Sequence, residues 1–338
     1  MATLELRALK KHYGAIHAVD GVDLAIAESE FLAILGPSGS GKTTLMRLIA
    51  GLEKPTEGEV LIGDRSVTHL PPRARNVSMV FQSYALYPHM TVARNVAFPL
   101  EARHVPRAEM EDKVNWAVRL MGIEPLLARR PARLSGGEKQ KVALARALVR
   151  DPTLFIFDEP LSSLDAQVRA MARAELRQLQ DRTGVTTVYV THDQLEALSM
   201  GDRVAIMRDG RVHQVGTPQE LYDEPADTFV AAFLGAPPMN LLKRDGRIVG
   251  FRPEHLVPGA AAGSDALRLR IRVLQLEFLG AEWLAYGQLE NGAEPRQMLL
   301  AKLAPPSAAA LRVGEVREFT VERARLRFFD HASGKRLT

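Results

Sequence analysis

The stretch Phe31-Leu-Ala-Ile-Leu35, running straight into Gly36-Pro-Ser-Gly-Ser-Gly41-Lys42-Thr43, decides the fold of this chain. Five apolar residues in a row, bounded by a glycine-rich turn, read as a short buried strand. The turn fits the phosphate-binding pattern G-x-x-x-x-G-K-[ST]. Thr44-Leu-Met-Arg-Leu-Ile-Ala50 then reads as a helix, with Gly51 where a C-terminal cap belongs. A strand before the loop and a helix after it weigh against a chance glycine-rich turn.

A polyphosphate needs many donors at close range. The loop Gly36, Pro37, Ser38, Gly39, Ser40 and Gly41 can wrap it with backbone N–H groups, the glycines allowing close approach. The helix that carries Thr43 and Thr44 directs its positive end at the same anion. Lys42 adds a point charge at the β- and γ-phosphates, and the Thr43 hydroxyl can ligate Mg²⁺. A nucleoside triphosphate and Mg²⁺ are therefore the expected cofactors.

Asn76-Val-Ser-Met-Val-Phe81, Thr153-Leu-Phe-Ile-Phe157, Thr187-Val-Tyr-Val-Thr191 and Arg203-Val-Ala-Ile-Met207 are further apolar runs. They alternate with helical patterns, which argues for a parallel α/β sheet. Asp158 ends one run, where a bare carboxylate would be costly unless it met a cation, and it suits Mg²⁺ through water. Glu159 is then placed to polarise an attacking water as general base. His192 also ends a run, with Asp193 beside it, and Gln82 follows Phe81. From about Thr91 to Val149 the pattern is helical, with Met110, Val114, Ala117, Val118 and Met121 on one face and Gly122 closing it. Leu164, Val168, Met171, Leu176 and Leu179 mark another amphipathic helix. In Leu134-Ser135-Gly136-Gly137-Glu138 a hydroxyl and unobstructed N–H groups open a helix, which makes a second anion site.

A phosphate loop, a Leu-Ser-Gly-Gly segment, an apolar-Asp-Glu strand and Thr191-His192-Asp193, in that order, resemble the ATPase subunits of ABC transporters. The resemblance covers about residues 1–235 with very specific motifs and the rest with weaker ones. It implies an α/β P-loop NTPase cassette at 1–235, with a RecA-like core and a helical subdomain at about 90–150. A small OB-like (TOBE-type) β domain follows at 236–338. It implies ATP as the nucleotide, with Tyr13 of Lys11-His12-Tyr13-Gly14 stacked on adenine. It makes His192 the switch histidine on the γ-phosphate. Gln82 becomes the glutamine that touches Mg²⁺ or the attacking water, and the loop after it contacts the membrane subunits. Ser135, Gly136 and Gly137 would close on the γ-phosphate bound by a second cassette, and Ser162-Ser163-Leu164-Asp165 matches the D-loop that links the two sites. One phosphate loop and one such motif per chain make a head-to-tail homodimer the simplest complete assembly. The commoner family form has Gln where Glu138 stands and Asn at Ser163; neither change removes a phosphate-contacting group.

With 338 residues, 46% of them hydrophobic and 25% charged, the chain is long enough for two domains and ordinary for a globular protein. No apolar run reaches the roughly 18 residues that span a bilayer, and the first residues lack a signal peptide's pattern. The expected place is the cytoplasm, peripheral on the inner face of the membrane. The absence of cysteine excludes disulfides and thiolate metal sites. Residues 1–240 hold 28 Lys+Arg against 29 Asp+Glu, whereas residues 241–338 hold 16 against 11, which supports a boundary near Pro237-Pro238. Leu267, Leu269, Ile271 and Val273 alternate with Arg268, Arg270 and Arg272 as a half-buried strand. Trp283-Leu-Ala-Tyr286, Gln297-Met-Leu-Leu300 and Glu318-Phe-Thr-Val321 read as more strands, and 260–262 as an Ala-rich turn. The arginine stripe could serve nucleic acid, but Glu277, Glu282, Glu290 and Glu294 dilute its field, and no nucleic-acid partner is expected.

Three stretches are similar to the carbohydrate importer ATPases, the maltose and glycerol-3-phosphate group: Gln82-Ser-Tyr-Ala-Leu-Tyr-Pro-His-Met-Thr-Val92, Pro238-Met-Asn-Leu-Leu242 and Phe251-Arg-Pro-Glu-His255. The segment between the last two is short, so the first strands of the β domain are expected to depart from the family pattern. The likeness implies two transmembrane permeases as partners and, indirectly, a solute-binding protein. Polyamine and ferric-iron importer ATPases share the layout. ABC proteins of DNA repair or translation usually carry tandem cassettes or a long coiled-coil insertion, which this sequence lacks. Intact Lys42, Asp158, Glu159 and His192 argue against a purely regulatory protein with a dead cassette.

Overall fold

The computed structural model describes residues 2–259, 265–290 and 297–337. The Ala-rich turn expected at 260–262 and Glu294 lie outside them. The chain forms two compact units, Met1–Pro218 and Gln219–Thr338.

In the first unit β1 (Leu4–Tyr13) and β2 (Ile16–Ile26) make a hairpin, β3 (Phe31–Leu35) enters the phosphate loop and α1 (Lys42–Ala50) leaves it. Strands β4 (Glu57–Ile62), β5 (Arg65–Ser66) and β6 (Val77–Val80) follow, then helices α2 (Val92–Glu101), α3 (Arg107–Met121) and α4 (Gly136–Leu148). The unit continues with β7 (Leu154–Asp158), α5 (Ala166–Thr183), β8 (Thr186–Thr191), α6 (Gln194–Met200), β9 (Arg203–Arg208) and β10 (Arg211–Gly216).

The central sheet has the order β10-β9-β3-β8-β7-β6, parallel except for the edge strand β10. All five residues of β3 are buried, as a strand covered on both faces requires. The sequence reading missed a second, antiparallel sheet of order β2-β1-β4-β5. Its signal was present, since Leu4 and Leu6, and then Val22, Leu24 and Ile26, alternate between buried and exposed neighbours.

Helix α3 ends at Gly122 in the left-handed conformation, and its Ala117, Val118 and Met121 are buried. Helix α5 departs from expectation at two positions. Leu164 is buried in the loop ahead of the helix, and Met171 is 57% exposed. The buried stripe runs instead through Ala172, Leu176, Leu179 and Gln180, because steps of three and four residues keep one face and Met171 falls off it.

The second unit opens with α7 (Pro218–Asp223) and α8 (Thr228–Phe233), then folds as two antiparallel sheets. Strands β11 (Asn240–Arg244) and β12 (Arg247–Phe251) begin it, with β13 (Val257–Pro258), β14 (Leu267–Phe278), β15 (Trp283–Leu289) and β16 (Met298–Leu303) after them. Helix α9 (Pro305–Ala309), β17 (Val316–Val321), β18 (Arg327–Asp330) and β19 (Arg336–Leu337) complete it. The orders are β11-β12-β18-β19 and β13-β17-β14-β15-β16, and Leu242, Phe251, Leu269, Ile271, Val273, Phe319 and Val321 share one core. The short segment before Phe251 is a tight hairpin, its turn made by Asp245 and Gly246 at φ 52° and 74°. On the arginine stripe, Arg272 pairs with Glu290 at 2.6 Å and Arg270 lies opposite Glu318.

Residues 219–235 belong to this second unit, ahead of the Pro237-Pro238 step, because two arginines hold them. Buried Arg252 donates to the carbonyls of Tyr222, Ala231 and Leu234, and its guanidinium lies 3.9 Å over the Tyr222 ring. Arg327 donates to the Asp223 carbonyl and to Glu224. Removing Arg252 takes a donor from three carbonyls, of which Ala231 O keeps a second one in Met239 N–H. Arg252→Ala is expected to destabilise the second unit by about 3 kcal/mol, and Arg252→Lys by less. Chemical denaturation, with the transition of the second unit moved to lower denaturant, is the measurement.

Candidate active site

Strand order builds the site. Because β8 sits between β3 and β7, with β6 beyond, four parallel strands end side by side at their carboxyl edge. There they release the phosphate loop, Thr191-His192-Asp193, Asp158-Glu159 and Phe81-Gln82, segments far apart in sequence. Open parallel sheets hold ligands at this edge.

The phosphate loop closes on neighbouring backbone. Ser40 N–H donates to the Pro37 carbonyl and the Ser40 carbonyl accepts from Gly210 N–H. A Cβ at Gly36 would meet the Met207 carbonyl oxygen at 2.2 Å, and one at Gly41 the Ala18 oxygen at 2.2 Å. Gly41 also sits at φ 98°, where it caps α1; only glycine fits. Gly39 (φ 79°) has open space around it and is required by conformation alone. Pro37, Ser38 and Gly39 are exposed, as a loop that meets a ligand requires. Lys42 is buried and donates to the carbonyls of Gly36 (2.8 Å) and Pro37 (2.9 Å). Burial pushes its ammonium pKa down, while Glu159 and Asp158 oppose the shift. Thr43 is exposed and Thr44 half-buried on the first turn of α1. Arg75, which the sequence reading passed over, donates to the Leu48 and Ile49 carbonyls and so closes the far end of α1.

Beside the loop, burial and Glu159 hold the Asp158 carboxyl above the usual carboxylate range, against the pull of Arg47 and Lys42. Glu159 adopts φ 45°, rare for a residue with a side chain, and its N–H donates to Val190 O at 2.9 Å. Its Oε1 lies 3.0 Å from His192 Nδ1, with His192 more than half exposed. Asp193 caps α6 by accepting from Leu195 and Glu196 N–H. Tyr189 and Thr191 both donate to buried Glu196, which fixes the end of β8.

Other expected residues are placed but not joined to this cluster. Gln82 stands exposed just past β6, which ends one residue before Phe81. Tyr13 ends β1, half exposed, with Lys11 Nζ 4.9 Å over its ring. Ser135 caps α4 in a reciprocal box: its Oγ accepts from Glu138 N–H and Glu138 Oε2 accepts from Ser135 N–H at 2.7 Å. That backbone bond holds the Glu138 carboxyl below its usual range, so the glutamate here works as a cap. A Cβ at Gly136 would press on Leu164 at 2.9 Å, whereas one at Gly137 would make ordinary contact. Asp165 caps α5 through Val168 N–H, and Ser163 bonds the Tyr84 hydroxyl at 2.9 Å. Sequence reasoning also missed Arg169, which donates to Leu164 O at 2.8 Å and pairs with Asp193 at 3.5 Å.

Residues 19–162 match the ABC transporter family and residues 249–329 the TOBE domain. This chain belongs to the ABC transporter family, and it is an ATP-hydrolysing, importer-type cassette subunit with a C-terminal TOBE domain. Among its relatives is the sn-glycerol-3-phosphate import ATP-binding protein UgpC of Rhizobium meliloti, 46% identical over all of both chains. The protein of the same name from Cupriavidus pinatubonensis is 44% identical, again over all of both. A solved dimeric ATP-binding cassette in a post-hydrolysis state, bound to ADP and Pi, is 33% identical with a TM-score of 0.57. It covers 64% of this chain and 98% of its own.

Because the folded-state pKa of Asp158 is raised, the folded chain holds that proton more tightly than the unfolded one. The resulting penalty is small below the ordinary aspartate value of 3.8 and grows as pH rises through the folded value. Asp158→Asn is expected to raise the Tm of the nucleotide-free chain at pH 7 by about 1–3 °C. The gain should shrink on acidification, which scanning calorimetry across pH would read.

Proposed function

We propose that two copies of this chain close head to tail on two ATP molecules and drive import of a glycerol phosphate, or a related sugar or polyol. Transport runs through two transmembrane permeases fed by a solute-binding protein. No helix among the described residues is long and apolar enough to cross a membrane, and the chain is read as cytoplasmic, held at the inner face by its permeases. The observation that carries the solute class is the 46% identity over the whole of both chains to a glycerol-3-phosphate import subunit.

In this reading the N–H groups of Gly36 to Thr44 and the Lys42 ammonium hold the phosphates, and Tyr13 stacks on adenine. Lys42 exchanges its loop carbonyls for phosphate oxygens, which suits a buried ammonium. Thr43, Asp158 and Gln82 would hold Mg²⁺, and the raised pKa of Asp158 marks a carboxylate that gains from a cation. When bound, the ion supplies charge neutralisation on the β- and γ-phosphates. Glu159 takes the proton of the attacking water. His192, engaged through Nδ1, keeps Nε2 for the γ-phosphate. Ser135, Gly136 and Gly137 serve the nucleotide of the other chain, and Asp165 lies on the loop between the two sites.

Glu159→Gln is expected to retain ATP binding while hydrolysis falls by about 10²–10⁴-fold, and ATP should then trap a dimer in analytical ultracentrifugation. Hydrolysis near the wild-type rate would remove Glu159 from its role. For the solute, vesicles carrying the chain with its own permeases and binding protein should take up labelled sn-glycerol-3-phosphate on addition of internal ATP. Uptake of a polyamine or ferric iron in its place would transfer the chain to those importers.

A further inference from the structure

The hairpin of β1 and β2 carries a second cluster of metal-ligating groups. His12 and His17 are cross-strand partners, their rings stacked 3.9 Å apart and within 16° of parallel. Asp20 Oδ1 lies 3.9 Å from His12 Nε2 and 3.9 Å from His17 Nδ1. One ligand atom from each of the three falls within 4.8 Å of the others. Arg211 donates twice to Asp20 Oδ2, at 3.0 and 2.6 Å, which leaves Oδ1 turned toward the imidazoles. His12 Nε2 is buried and has no hydrogen-bond partner. Buried polar nitrogens are nearly always satisfied, so an orphan beside a carboxylate oxygen and a second imidazole points to a missing bond.

We propose that His12 Nε2, His17 Nδ1 and Asp20 Oδ1 bind one divalent transition-metal ion of the Zn²⁺ class, with water as the fourth ligand. Two imidazoles and one carboxylate suit Zn²⁺, whereas Mg²⁺ and Ca²⁺ prefer oxygen donors throughout. Ligand atoms on tetrahedral zinc sit about 3.3 Å apart, so the two Asp20–imidazole distances close by roughly half an ångström and the two ring nitrogens, which lie within 4.8 Å of each other, by up to about 1.5 Å. An imidazole lone pair lies in the plane of its ring, so the stack must open for both nitrogens to meet one ion, and exposed His17 has the freedom to turn about its Cβ–Cγ bond and aim Nδ1 at it. Arg211 serves as the outer partner that orients the carboxylate.

The ion would tie together the two strands that frame the nucleotide site. Tyr13 directly follows His12. Ala18 directly follows His17, and its carbonyl oxygen abuts Gly41 of the phosphate loop. Asp20 N–H donates to Gly210 O, and Gly210 N–H donates to Ser40 O. Metal occupancy is therefore expected to change nucleotide affinity. This consequence rests on the nucleotide site described above; the ion site itself does not.

The test uses the full chain without a histidine tag, in competition with a chromophoric zinc chelator. The chain has no cysteine, so thiolates do not compete. One Zn²⁺ per chain is expected, unaffected by excess Mg²⁺ and at least about tenfold weaker in His17→Ala and Asp20→Asn, with circular dichroism confirming that both variants fold. Absence of saturable binding, or equal affinity in wild type and both variants, overturns the site. A fluorescent ATP analogue then reads the coupling: zinc should shift its affinity in the wild type and not in His17→Ala. An unshifted affinity with the site intact overturns the coupling alone. Failure of the zinc-free chain to bind the analogue would count against the nucleotide reading and leave the ion site standing.

Discussion

Strand β3, with all five side chains buried and parallel neighbours on both sides, is the constraint on which the site depends. A strand so enclosed has no freedom to shift register, because any slip would expose apolar residues or strand backbone groups. Its carboxyl end therefore presents the phosphate loop at one fixed height. Leu35 aligns with Thr191, Val190 with Asp158, and Phe157 with Val80. The groups that follow these residues inherit the alignment.

That alignment crowds charges that resist being crowded. Lys42 and Asp158 are both pushed toward their neutral forms by burial. Glu159 is held at φ 45° and met by His192 at 3.0 Å. Such an arrangement is held by bonds that lie behind it. Glu196 fixes the end of β8, Arg75 closes α1, and Arg169 joins the loop of Leu164 to Asp193. None of these supporting residues would touch phosphate, yet each limits how far a group that does could drift.

The second unit shows the same economy on a smaller scale. A single guanidinium, Arg252, satisfies three carbonyls of a segment that the change in charge along the chain placed in the other domain. Charge composition reports the surface, whereas the boundary is set by buried hydrogen bonds, and here the two do not coincide.

The sequence by itself determined the parallel sheet, the phosphate loop and the glycine that ends each of α1 and α3, and it put Lys42, Asp158, Glu159 and His192 at the loop or at strand ends. Those properties are local: a glycine that alone tolerates its φ, an acid at the end of an apolar strand, a hydroxyl that caps a helix. The order β3-β8-β7-β6 was decided only in the tertiary structure, and with it the meeting of Glu159 with His192, because apolar runs pair by mutual burial and carry no label for their neighbours. Met171 escaped its expected face for a related reason, since one residue of helical phase moves a side chain by about 100°. The antiparallel sheet of β1 and β2 was legible by alternation, but its role was not. Only the folded chain brings Ala18 against Gly41 and aligns His12, His17 and Asp20, residues whose spacing along a strand pair is set by a bulge rather than by count.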